Sequence, residues 1–136
     1  MNFLRYLLAS FTAFIFIFAF EWGFHGVMLA DVYHQTANLW RSSSEMNQYF
    51  PWLIGGQLLW AFILTYVFIQ GYQNKGLMEG YRFGILMSLL YIPTYLINYA
   101  VVPYPPFLIV VWIIGLMLEL IVVGGIIAAL YKSKKS

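Results

Sequence analysis

The stretch PFLIVVWIIGLMLELIVVGGIIAALY, Pro106 to Tyr131, carries one charged residue, Glu119, in an otherwise apolar run. A helix that crosses a bilayer needs about 20 mostly apolar residues, and this run exceeds that length. Three more stretches meet the same standard: Phe3 to Ala30, Pro51 to Gln70 and Gly80 to Val101. The whole chain agrees, with 62% hydrophobic, 21% aromatic and only 9% charged residues in 136. Soluble domains carry roughly 25% charged residues and cannot hide so much apolar surface at this length. The expected fold is therefore all-α: a polytopic four-transmembrane-helix bundle forming one transmembrane domain over residues 1–136, with an external loop from Asp31 to Phe50.

Punctuation supports these spans. Pro51 and Pro106 stand where the second and fourth helices should begin, because proline suits a first turn whose N–H has no partner. Tyr72 to Gly76 reads as a short polar turn, and Pro103, Pro105 and Pro106 as a tight connection that makes spans three and four antiparallel neighbours. Pro93 falls inside the third span. Ser42 and Glu45 have the spacing of a capping box, which allows a short helical lead into the second span. Arg5 precedes an apolar run too long for a cleaved signal, so the first span is read as retained.

Orientation follows from the positive residues. Arg5, Lys75, Arg82, Lys132, Lys134 and Lys135 fall on one side of the four spans and Arg41 alone on the other. By the positive-inside rule the first side is cytoplasmic, with both termini on it. The best-fitting location is the bacterial cytoplasmic (inner) membrane. A net charge of +2, scattered along the chain, points to no nucleic-acid partner. The chain has no cysteine and hence no disulfide, thiolate metal site or thiol nucleophile.

Polar groups at membrane depth are the informative ones, since a charge at the bilayer centre costs about 2.5–3.5 kcal/mol on insertion scales. Glu21 and Glu119 are the clearest cases, and each should be protonated, paired or facing a wet cavity. His25 lies four residues after Glu21 and shares its helix face. Gln57, Tyr95 and Asn98 reach similar heights, so Glu21, His25, Gln57, Tyr95 and Asn98 are expected to gather in one polar cluster. Glu119 is expected deeper, bonded by Thr65, Ser88 or Tyr91. His25 and His34 are nine residues apart on or near one segment and face apart, so no metal or haem clamp is expected. No nucleophile elbow or triad is visible, and no enzyme or cofactor is expected.

Small residues recur four apart: Gly80, Gly84 and Ser88 on the third span, and Gly124 with Ala128 and Gly125 with Ala129 on the fourth. Such ridges let helices approach closely, within a bundle or between copies. The leading functional expectation is a non-enzymatic membrane protein acting by association, as a homo-oligomer or an accessory subunit of a larger membrane complex. The alternative is a small proton-coupled or cation transporter using Glu21, His25 and Glu119. In both, the lipid bilayer is the constant partner.

Glu79-Gly-Tyr-Arg-Phe-Gly84, the Pro93 to Tyr99 stretch, Val102-Pro103 and Trp112 to Glu119 followed by glycines resemble a group of small four-helix bacterial integral membrane proteins of unknown function. The Trp22, His25 and Asp31 to Tyr33 stretch is similar as well. The resemblance implies the four-helix architecture and a polar set of Glu21, His25, Asp31, Arg82, Asn98 and Glu119.

Overall fold

The computed structural model describes residues 1–132, so Lys134 and Lys135 of the positive-residue count lie outside the described residues. Most of those residues are helical, with no strand among them. Helix α1 (Phe3–Glu21) continues through a π-helical segment (Trp22–Met28). A short helix, α2 (Ala30–Gln35), and a 3₁₀ turn (Ala37–Leu39) lead to α3 (Ser43–Gln70), α4 (Leu77–Val101) and α5 (Pro106–Leu130). Four helices are long and apolar enough to cross a membrane: α1 with its π extension, α3, α4 and α5. The chain is an integral membrane protein by this architecture.

The second span starts earlier than its proline suggests. Ser42 accepts from Glu45 N, and Glu45 returns a bond to Ser42 N at 2.9 Å, completing the capping box. The reciprocal bonds satisfy two orphan amides, so α3 begins at Ser43 and Pro51 sits inside it. By residue 51 the helix already has two turns of backbone bonds to carry it past the missing N–H. Pro106 does occupy the first turn of α5, and Pro93 lies within α4.

The helices alternate in direction. α1 packs on α3 and α5, and α4 packs most closely on α5. The α4/α5 seam is made by Gly80 and Gly84 against the backbone at Gly124 and Leu120; a Cβ at either α4 glycine would collide with a carbonyl of α5. Ser88 is buried too and returns its hydroxyl to Gly84 O at 2.8 Å, so it brings no unpaired polar group into the bundle. Ala128 also faces Gly80, a Tyr81 ring covers Gly125, and Ala129 is exposed. The α3/α4 seam differs: it is bridged by rings, Trp60 to Tyr91 at 5.7 Å and Phe68 to Phe83 at 5.3 Å, rather than by close backbones.

The core of Ala9, Ala13, Ile17, Ala61, Leu64, Phe68, Leu120, Val123 and Ile127 fills the half of the bundle nearer the termini. At that end Arg5 donates to Leu130 O at 3.4 Å, placing its charge at the negative end of α5. In the α3–α4 turn, the Glu79 carboxylate accepts from the Gln73 and Lys75 amides at 2.5 and 2.7 Å. Asn74 and Gly76 take positive φ there, 58° and 75°.

Candidate functional site

The site begins where α1 stops being regular. From Trp22 to Met28 the backbone widens into a π-helix, and Leu29 N reaches back five residues to Phe24 O at 3.0 Å. Gly23 and Gly26 flank His25 in this segment. Wide turns of this kind are uncommon and cluster at functional sites. Here the wide turn carries His25 between two partners on opposite sides of its ring.

One partner is Glu21, whose Oε2 lies 3.3 Å from His25 Nε2. The other is the Tyr33 hydroxyl of α2, 2.5 Å from Nδ1, with the two rings stacked at 16°. Trp112 of α5 donates its indole N–H to the same hydroxyl at 2.9 Å. Indole nitrogen can only donate, so Tyr33 accepts from Trp112, and an ionised Glu21 beside Nε2 favours the tautomer in which Tyr33 gives its own proton to His25 Nδ1. That assignment leaves the imidazole proton on Nε2, directed at Glu21. A single line of donation therefore runs Trp112, Tyr33, His25, Glu21. Burial pushes the Tyr33 phenol up to about 12, against the pull of the Trp112 bond, and keeps it a donor at neutral pH.

Two hollows lie at the ends of this line. At the end of the bundle that carries residues 29–42 is a vestibule of about 880 Å³, with His25, Tyr33, His34, Trp40, Arg41, Glu45 and Trp112 in its walls. Between the four long helices is a cavity of about 340 Å³, lined by Ile17, Glu21, Gly56, Gln57, Trp60, Tyr91, Tyr95, Leu116 and Glu119. His25 lines only the first and Glu21 only the second. Their contact is thus the wall between the two. A third hollow, of about 500 Å³ beside α1 and α3, is lined by Tyr6, Leu58, Leu59, Phe62, Ile63 and Tyr66 and holds no charged group.

Glu119 is 3% exposed, and its Oε1 has no hydrogen-bond partner; Gln57 Oε1 is likewise buried and unpartnered. Buried acceptors are normally satisfied, so this pair is unusual. Thr65 and Ser88, expected to bond Glu119, turn their hydroxyls to Ala61 O and Gly84 O of their own helices instead, each at 2.8 Å. Hydroxyls on helices often close back on the preceding turn in this way. Tyr91 does line the cavity.

Of the residues expected to cluster, Glu21, Gln57 and Tyr95 share this cavity with Glu119, and His25 reaches it through Glu21. Asn98 does not join them. It is exposed, and its amide donates to Thr94 O at 2.9 Å, one turn back on α4. Asp31 and Arg82 are exposed as well. Tyr33 and Trp112 are functional candidates that depth and spacing alone did not single out. Among the described residues no three His, Asp or Glu side chains converge as a metal cage.

No protein-family model matches this chain, and no curated protein and no solved structure matches it. The functional reading rests on the geometry.

Proposed function

We propose that this chain is a small proton-coupled cation transporter of the bacterial cytoplasmic membrane, with both termini cytoplasmic. Arg5, Lys75, Arg82 and Lys132 at one end of the bundle against Arg41 at the other support that orientation. The vestibule is then external. Glu21 and Glu119 hold a proton or a cation in turn, and His25, with Tyr33 beside it in the vestibule, connects Glu21 to the outside while Trp112 holds the Tyr33 hydroxyl in place.

One observation carries the reading: a carboxylate buried among four helices, with an open acceptor, faces a cavity that receives a second carboxylate at the end of a donor line. An isolated charge there is costly, so a bound cation and a bound proton are alternatives that exclude each other. Such exclusion is the basis of exchange. The core packed between the cavity and the termini would have to loosen for release on that side.

Association, as a homo-oligomer or an accessory subunit of a larger membrane complex, is the second reading. The loose α3/α4 seam favours it, since a partner helix laid there would cover Trp60 and Tyr91. The glycine ridges do not add support, because Gly80, Gly84 and Gly124 are occupied within the chain.

The test is proton movement in proteoliposomes loaded with a pH-sensitive dye, with wild type compared with Glu21→Gln and Glu119→Gln at matched insertion. Wild-type flux that falls at least tenfold in both variants is expected. Silence in all three would overturn the transport reading in favour of association.

A further inference from the structure

We infer that the cavity between Glu21, Gln57 and Glu119 binds a lipophilic organic cation that carries N–H groups, a primary or secondary ammonium with an apolar body. The inference rests on reading this cavity as the cation site and names the class of cation.

Three features select that class. The first is volume: about 340 Å³ lies at the small end of the range of about 300–1,000 Å³ typical of organic ligand pockets. It is far more than a bare ion fills. Hard metal cations ask for six or more oxygen ligands, whereas much of this wall is ring and aliphatic surface.

The second is the wall itself. Trp60, Tyr91 and Tyr95 present aromatic rings beside the two carboxylates, with Tyr91 and Tyr95 edge to face at 5.5 Å. Ring faces attract cations, most strongly where water is excluded. Carboxylates and rings together suit a cation whose charge sits on an apolar frame. Trp60 and Tyr91 also bridge the α3/α4 seam, and Tyr91 is 38% exposed.

The third is the pair of open acceptors. Glu119 Oε1 and Gln57 Oε1 both lack a donor, and a trimethylated ammonium offers none. An N–H-bearing ammonium can satisfy both oxygens while its charge faces Glu119 and its body the rings.

The experiment uses the wild-type protein in detergent and reads the modification of Glu119 by a hydrophobic carbodiimide with mass spectrometry. 2-Phenylethylammonium should protect Glu119, and its N,N,N-trimethyl analogue should need at least tenfold higher concentration for equal protection. Gln57→Leu, which keeps both carboxylates, should reduce that preference. Equal protection by the two cations, or protection by neither, overturns the inference. Protection with the expected preference but no proton flux in proteoliposomes would remove the transport reading and leave the ligand class standing. Flux without protection would do the reverse.

Discussion

The Tyr33 hydroxyl lies 2.5 Å from His25 Nδ1, although the two residues belong to different helical segments and sit eight apart in the chain. The π turn and the short α2 bring them together, and Trp112 from α5 donates to the same hydroxyl. Both residues line the vestibule, and the other ring nitrogen of His25 meets Glu21, which lines the cavity between the long helices.

Tyr33→Phe keeps the stack on His25 and removes only the hydroxyl. Trp112 loses its acceptor and His25 its donor, with no change in ring packing. Proton flux should fall at least tenfold while the protein stays monodisperse and its thermal transition shifts little. Unchanged flux in a well-folded Tyr33→Phe protein would remove the relay from the mechanism.

The Tyr33 phenol also makes a statement about alkaline pH. Its value rises from 10.0 to about 12 because burial disfavours the phenolate. Between those values the folded state holds the proton and the unfolded state has lost it, so this contribution to stability is complete below about pH 10 and disappears as pH climbs toward 12. Denaturation followed from pH 9 to 12 should show a steeper loss in wild type than in Tyr33→Phe. Parallel curves would contradict this.

Gly84→Ala places a Cβ against the Leu120 carbonyl, and backbone cannot step aside as a flexible side chain would. Overpacking typically costs about 1–3 kcal/mol, and here α4 and α5 must separate. Gly55→Ala is the matched control, since nothing lies within 4 Å of its Cβ position; alanine's better helix propensity should leave stability unchanged or raised by up to about 1 kcal/mol. Thermal unfolding in one detergent compares the two, and equal transitions would contradict the tight α4/α5 seam.

Ser42→Ala removes the capping box of α3. Losing an N-cap costs about 1 kcal/mol, and the effect should be local. Amide exchange over residues 43–50 should accelerate while residues 58–70 keep their protection. Because Arg41 sits 3.7 Å over the Tyr49 ring and lines the vestibule with Glu45, fraying here should loosen that wall as well.

The four spans were legible because bilayer thickness demands a length of apolar chain that few other structures use. Glu21 with His25 was legible from helical spacing, and Gln57, Tyr95 and Glu119 from depth. Depth does not reveal azimuth. Asn98 has the right height and the wrong face, and Thr65 and Ser88 satisfy themselves on their own helices. Pro51 misplaced the start of α3 because a cap nine residues earlier had already nucleated the helix. The link from His25 to Tyr33 was hidden for a different reason: the π turn changes the angular register after Glu21, so counting at 3.6 residues per turn fails where the site is built. Trp112 reaches Tyr33 only through tertiary packing of α5 against the π segment.

The direction of donation along Trp112, Tyr33, His25 and Glu21 is read most directly by nitrogen-15 NMR of ring-labelled His25 in lipid bilayers. The expected spectrum has a bare Nδ1 and a protonated Nε2, and Tyr33→Phe weakens that preference. A proton resident on Nδ1 in the wild type would mean that Tyr33 does not donate to His25, and the line of donation would be broken at its second link.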